Sequence, residues 1–255
     1  MKKILNLLIF CLSISLFSQK NLAVTYKTSI ANLETNAILI ASKTHSMYEE
    51  GIEFKEREMN EFEPNSFTIG GWDHMRIFQN LKEPEVLKIQ MFKNEDRFSY
   101  VDKDYYISDT IPKLNWEFIN HHEEIEILGY KCKEARLKFR GSEFKAYYTT
   151  EIPTTFGPWK FHGLPGLILR VSSVDNPKIY WEVEEIIYPY EEAKIADVSA
   201  MNFNLSMKEY IQNFDDLVEK RGRAFAARMG SSYQSIPKNM RRQMTRERKY
   251  EWETW

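Results

Sequence analysis

Two side chains in the sequence could perform nucleophilic or acid–base chemistry, Cys132 and His162. Lys131 and Lys133 flank the cysteine and could lower the pKa of its thiol, but in a strand both would point away from the sulfur. His162 would need a nucleophile and an orienting acid to act as a general base, and its neighbours in the sequence provide neither. We therefore interpret Cys132 as a packing residue and His162 as a loop histidine with a structural hydrogen bond. A hydrolase that uses one of them is the alternative.

The densest group of metal-ligand side chains is the run of two histidines and two glutamates at residues 121–124. Adjacent strand residues point to opposite faces, and the spacing does not match His-Glu-x-x-His, so we expect a polar hairpin tip and no metal site. The sequence contains no Gly-x-Ser-x-Gly elbow, Cys-x-x-Cys pair or glycine-rich phosphate loop. It predicts a non-enzymatic protein without metal or cofactor.

The first nineteen residues resemble a secretory signal. Lys2 and Lys3 precede an apolar run at residues 4–17, and Ser18 supplies a small residue for cleavage near residues 17–20. The run is shorter than the roughly twenty residues that span a bilayer. We therefore expect an exported protein of the periplasm or outer envelope. Cleavage would remove Cys11 and leave Cys132 without a disulfide partner.

Short runs of alternating apolar and polar residues dominate positions 22–200. Period-two alternation is typical of half-buried strands, and strands joined by short polar turns favour an antiparallel sheet. Gly141-Ser142 separates two such runs and is expected to form a two-residue hairpin loop. We predict a mainly β (α+β) fold with a curved antiparallel sheet or half-barrel and C-terminal helices. Its single domain would span residues 20–230.

The period changes to three and four from Ser206 onward, which predicts an amphipathic helix. Ser206 and Glu209 fit a capping box, and Gly230 is a suitable stop. Residues 231–255 are basic and poor in apolar side chains, so we expect a helical or partly disordered extension. Residues 220–249 contain ten Lys or Arg and one acid. In an exported protein this favours contact with an anionic envelope surface over nucleic-acid binding, with a merely solvated basic helix as the alternative.

A distinctive dozen residues occupy positions 157–168, with the sequence GPWKFHGLPGLI. Leu164-Pro165-Gly166-Leu167 fits a type II turn with positive φ at Gly166. The segment resembles the GLPGLI family of secreted bacterial proteins, which has no established biochemical role. Blocks at 127–135 and 146–153 extend the resemblance over most of residues 100–190. The signature positions are Gly157, Pro158, Gly163, Leu164, Pro165, Gly166, Leu167 and Ile168.

The resemblance implies an exported protein, and some family members are associated with outer-membrane receptor systems. The strand order also resembles the periplasmic lipoprotein carriers, in which helices cover an apolar cavity of a half-barrel; such likeness does not transfer a ligand. We expect a binding or accessory protein of the envelope, with an apolar ligand or a receptor as partner. A purely structural envelope component is a further alternative.

The strand pattern also predicts which side chains line the concave face of the sheet. They should enclose either a ligand cavity of roughly 300 Å³ or more, or an ordinary packed core. The predicted inner side chains are Trp116, Phe139, Phe144, Tyr148 and Trp181.

Overall fold

The computed structural model describes residues 21–30, 33–51, 74–93, 101, 103–119, 125–191 and 195–255. The predicted signal segment at 1–19 and the predicted hairpin tip at 121–124 lie outside these ranges. No helix within the ranges is long and apolar enough to cross a membrane.

The described residues form a mainly β structure, as the alternating pattern predicts. Thirteen strands make one open sheet in the order β13-β6-β5-β4-β3-β2-β1-β12-β11-β10-β9-β7, with β8 paired to β9. Neighbours are antiparallel except β13 and β6, which are parallel. The strands are β1 Asn21–Ile30, β2 Leu33–Ala41, β3 His45–Gly51, β4 Met75–Asn80, β5 Val86–Met91, β6 Tyr105–Thr110, β7 Glu117–Ile119, β8 Ile125–Ile127, β9 Tyr130–Phe139, β10 Ser142–Thr149, β11 Leu167–Ser173, β12 Tyr180–Tyr190 and β13 Leu205–Ser206.

The sheet is strongly curved. Asp109 on β6 and Arg140 between β9 and β10 are in direct contact, although eight inter-strand steps separate β6 from β10. In a flat sheet, steps of about 4.8 Å would place these strands nearly 40 Å apart. The sheet therefore curls around an inner face, toward which the buried side chains of its strands point.

Apolar side chains fill much of the inner face. Tyr26, Phe144 and Trp181 are completely buried, and Tyr26 donates a hydrogen bond to the Ile168 carbonyl oxygen at 2.7 Å. Of the five predicted inner side chains, Phe139, Phe144, Tyr148 and Trp181 are buried and Trp116 is partly buried against the core.

The hairpin between β9 and β10 differs by one residue from the predicted loop. Phe139 pairs with Ser142, so the loop is Arg140-Gly141 and not Gly141-Ser142. Both loop residues have positive φ, 45° and 76°. This is the combination of a type I′ turn, which matches the twist of the adjoining strands and normally selects small or polar residues. A buried arginine at the first position indicates a particular role for its side chain.

Helix α1 (Met207–Arg228) begins at the predicted capping box. The Ser206 side chain accepts from the Glu209 backbone N–H at 3.2 Å, and the Glu209 carboxylate accepts from the Ser206 N–H at 2.9 Å. For residues 231–255 the sequence predicts a helical or partly disordered extension, and the structure shows little helix there. This stretch contains only the single turn α2 (Lys238–Arg241) and a 3-10 turn at Arg242–Met244, followed by irregular backbone.

Candidate functional site

The signature loop, residues 157–168, connects β10 to β11 and crosses the inner face. The positive φ expected at Gly166 is found instead at Gly163, with 89°, and at Trp159, with 54°. Gly166 is required for a different reason. A Cβ atom there would lie 1.9 Å from the Thr149 carbonyl oxygen, so only glycine allows the two backbone segments to approach so closely.

The loop delivers aromatic rings to the inner face. Trp159 stacks on Trp181 with 5.4 Å between ring centroids, and Phe161 meets Trp181 edge to face at 5.2 Å. Phe144 packs edge to face on Phe161 at 4.9 Å. Such pairs add about 0.5–1.5 kcal/mol to the burial of apolar area. The rings form an aromatic cluster beside Lys160, which lies between Trp159 and Phe161 in the sequence.

Lys160 belongs to a buried charge cluster, which we define as Asp109, Arg140, Lys160 and Glu247. The Lys160 ammonium, 3% exposed, donates to Asp109 and to both carboxylate oxygens of Glu247, all at 2.8 Å. Arg140 donates to the two Asp109 oxygens at 2.8 and 2.9 Å and also to Glu247. Glu251 completes the arginine's contacts at 3.0 Å.

The two cations keep the buried Asp109 ionised. Burial raises the pKa of Asp109, but Lys160 and Arg140 outweigh that effect and lower the pKa to about 2. The carboxylate is therefore a fixed negative charge at neutral pH. Arg140 adopts a left-handed turn conformation that Gly, Asn or Asp usually occupies. From this position its guanidinium points at the Asp109 carboxylate.

A second buried ion pair lies beside the cluster. Arg246, 2% exposed, donates to the Glu50 carboxylate at 2.5 and 2.8 Å. Thr28 and Tyr48 also donate to Glu50, at 2.6 and 2.9 Å. The guanidinium lies 4.5 Å from the centroid of the Trp181 ring, within the range of cation–π attraction. Burial raises the pKa of Glu50, but Arg246 and these hydroxyls bring it below its ordinary value.

Both ion pairs join the sheet to one piece of chain, which we call the C-terminal segment, residues 242–253. Its backbone contributes two hydrogen bonds, from the N–H groups of Arg248 and Lys249 to the Arg140 carbonyl oxygen at 2.8 and 2.9 Å. Arg242 connects the segment to α1 by donating to Asp215 at 2.9 Å. Charged side chains and the buried Tyr250, and not a strand ladder, hold the segment against the inner face.

The segment changes the interpretation of the basic stretch at 220–249. Arg241 pairs with Asp215 and Arg242 with Asp215 and Glu253, while Arg246 pairs with Glu50. These three arginines are buried or nearly so and face inward. Arg242, Arg246, Glu247 and Tyr250 are therefore buried, in contrast to the merely solvated basic helix that composition allowed.

The two sequence candidates for catalysis are engaged structurally, His162 in the signature loop and Cys132 near the start of β9. His162 is buried, its Nδ1 lies 3.1 Å from the Lys160 carbonyl oxygen, and burial lowers its pKa. Trp116 donates to the His162 carbonyl oxygen at 2.8 Å. Burial raises the pKa of Cys132 to about 11, so its thiol is neutral at physiological pH. In the described part of the chain, no three His, Cys, Asp or Glu side chains are grouped as a metal site.

The space between the C-terminal segment and the inner face is small. A gap bordered by Met75, Ile89, Trp159 and Arg246 has a volume of about 10 Å³, which is the size of one water molecule. A larger open groove of about 630 Å³ lies outside, between α1 and residues 235–241, and its lining is mostly polar. The segment thus covers the part of the inner face where the sequence pattern allowed either a ligand cavity or a packed core.

The charged residues of the site were not among the sequence candidates. Asp109, Arg140, Glu50 and Arg246 stand in no motif, and Lys160 was only part of the signature string. The sequence signal that could have identified them is a charged residue at a position where the alternating pattern or aromatic neighbours predict burial.

The fold and site define an open, mostly antiparallel-sheet protein whose inner face is covered by its own charged C-terminal segment. Residues 115–170 match the family model Porph_ging, described as a protein of unknown function, and this stretch includes the signature loop. No curated protein matches the chain.

Two solved structures titled PNGF-II, in space groups P21 and C2, are similar in fold. The first is 16% identical with a TM-score of 0.50 and covers 78% of this chain. The second is 17% identical with a TM-score of 0.48 and covers 80%. The chain spans about a third of the length of each. At this identity the likeness concerns the fold alone.

Proposed function

We propose that the protein is an exported, non-enzymatic accessory protein of the GLPGLI type, located in the periplasm or outer envelope, that binds a protein partner through its inner face. An outer-membrane receptor is the partner class that fits this location. The observation that carries the proposal is the construction of the inner face, where Glu50, Asp109, Arg140 and Lys160 are buried and aimed at an irregular protein segment.

Buried charges of this kind favour recognition over storage of an apolar molecule. Each buried ion costs several kcal/mol to desolvate and is tolerated only beside a partner of matching charge and geometry. An apolar ligand would leave Glu50 without a cation and would leave Lys160 and Arg140 with Asp109 alone as their counter-charge. A protein segment with charged side chains satisfies both, so the proposal favours a protein over a lipid or fatty acid.

The surroundings of Cys132 and His162 do not support the hydrolase alternative. A nucleophilic thiol needs a lowered pKa, whereas burial raises that of Cys132. His162 is held between the Lys160 and Trp116 contacts within the signature loop. Neither side chain is arranged to activate water or to attack a substrate.

Native purification from the envelope fraction tests this proposal, with mass spectrometry of the co-purifying proteins and lipids. We expect a protein partner that rebinds the purified chain and no stoichiometric lipid. The reactivity of Lys249, beside the site, should change on rebinding, whereas that of the exposed Lys138 on β9 should not. Retained lipid without a protein partner, or an unchanged Lys249, contradicts the proposal.

A further inference from the structure

We propose that the C-terminal segment is an exchangeable internal ligand, which a partner segment carrying an adjacent Arg–Glu pair displaces from the inner face. The inference rests on the proposed function and deepens it, because it specifies the chemistry of the partner and a self-blocked state of the site.

The inner face has two subsites of opposite charge. The Glu50 subsite, with Thr28 and Tyr48, binds the guanidinium of Arg246. The Lys160 subsite, formed by Lys160 and Arg140, binds the carboxylate of Glu247. Because Arg246 and Glu247 are consecutive, the two subsites together recognise one dipolar pair in a fixed order.

Each subsite fits its occupant by geometry as well as charge. Arg246 donates through both terminal nitrogens to the two Glu50 oxygens, which is the fork geometry that lysine cannot reproduce. The faces of Trp181 and Trp159 lie 4.5 and 5.6 Å from the same guanidinium. The aromatic rings therefore restrict the first position to a planar cation.

An empty inner face would be unstable for electrostatic reasons. Without the segment, Glu50 would lose the Arg246 guanidinium, and Lys160 and Arg140 would share only Asp109 as a buried counter-charge. Uncompensated buried charge is strongly unfavourable. The inner face thus favours exchange of one Arg–Glu segment for another over a vacant state, which makes the internal segment a competitor of the partner.

The attachment of the segment permits such an exchange. It is joined to α1 through residues 231–237, which have no regular structure and are mostly exposed, and then through the single turn α2, which pairs with Asp215 of α1. Its own backbone makes no strand pairing with the sheet, in contrast to β1, which pairs along its length with β2 and β12. Release would therefore break side-chain contacts and a few hydrogen bonds, and leave the sheet ladder intact.

A cut in the full-length folded protein tests the inference. A protease site inserted after Ser232 is cleaved, which leaves residues 233–255 bound without a covalent link. An excess of fluorescent peptide with the sequence of residues 233–255 is added. We expect the peptide to replace the cut fragment and elute with the protein on gel filtration, while circular dichroism of the sheet is unchanged.

The matched control is a peptide with the same composition in which the residues at 246 and 247 are interchanged. It places each charge at the wrong subsite, and we expect it to compete more than about tenfold less well. Equal competition by both peptides would overturn the inference, as would failure of the native peptide to enter. Unfolding of the cut protein would also overturn it, because the segment would then be a structural part of the sheet.

Hydrogen exchange on the uncut, unmodified protein provides an independent measurement. The N–H groups of Arg248 and Lys249 should exchange through a local opening, at least about tenfold faster than buried amides of β1. Protection of the Arg248 and Lys249 amides equal to that of the buried β1 amides would overturn the inference. Neither experiment needs a natural partner. Displacement of the segment by the peptide, combined with the absence of a protein partner in the envelope, refutes the proposed function alone. A protein partner without displacement of the segment refutes this inference alone.

Discussion

The sheet and the C-terminal segment are held in the same molecule by different forces. β1 pairs residue by residue with β2, from Leu22 opposite Ala41 to Ile30 opposite Leu33, and its inner side chains are apolar apart from Thr28. The segment has two backbone hydrogen bonds to the sheet region and otherwise relies on side chains, chiefly Arg246 and Glu247 with their buried counter-ions and the buried Tyr250. Backbone hydrogen bonds between strands form with many different side chains, whereas a buried ion pair tolerates few substitutions.

This difference has a consequence for specificity. Apolar packing scales with buried area and tolerates substitutions of similar volume. A buried ion pair contributes little net stability but penalises a wrong or absent partner heavily. The sheet therefore supplies most of the stability, and the segment site supplies selection.

The largest expected effect is at the segment. Arg246→Met leaves Glu50 buried without its cation and should lower the free energy of unfolding by roughly 3–5 kcal/mol. The double variant Glu50→Gln/Arg246→Met removes both charges and should recover more than half of that loss. Chemical denaturation of the native protein, the single variants Arg246→Met and Glu50→Gln, and the double variant measures the coupling. Additive losses would show that the pair does not act as a unit.

A smaller effect is expected where the signature loop meets the sheet. Gly166→Ala forces a Cβ against the Thr149 backbone and should cost roughly 2–3 kcal/mol. Gly163→Ala is the matched control, because its Cβ would meet nothing within 4 Å and only its positive φ opposes alanine. It should cost about 1 kcal/mol. Thermal unfolding ranks the two variants, and the reverse order would contradict the close backbone approach at Gly166.

The turn illustrates what one sequence can predict. Alternation identifies the strands and their buried faces because period two follows directly from backbone geometry. The position of positive φ in the signature loop depends on the path of the whole loop over Thr149, which no local rule contains. Sequence reasoning therefore recognised the need for glycine at 166 but assigned the wrong cause.

The charged site was beyond single-sequence reasoning for a related reason. Arg140 is 31 residues from Asp109 and 107 from Glu247 along the chain, and Arg246 is 196 residues from Glu50. Only the curvature of the sheet brings them together. Composition indicated a basic tail, but it could not show that acids on distant strands bind that tail.

An intermediate effect is expected from acid. The pKa of Asp109 is lowered from 3.8 to about 2, so its ionised form stabilises the fold above about pH 4. That stability is lost as the pH falls toward 2, and it amounts to roughly 2 kcal/mol. Glu50, whose pKa is also lowered, contributes with the same sign. Urea unfolding at pH 5 and pH 3 measures the slope, which should be shallower in Asp109→Asn. An equal slope in that variant contradicts the assignment.

The smallest effect is expected at the start of α1, the helix that lies between the sheet and the segment in sequence. Ser206→Ala removes the capping box with Glu209 and should cost about 1 kcal/mol. Ser232→Ala, at an exposed position after the helix, should change stability by less than about 0.5 kcal/mol. Because a cap acts on the first turn, the protection of the Arg248 and Lys249 amides should stay unchanged in hydrogen exchange. Faster exchange at those amides in Ser206→Ala would mean that α1 and the segment open together, and the segment would then behave as the end of the helix and not as a separately bound ligand.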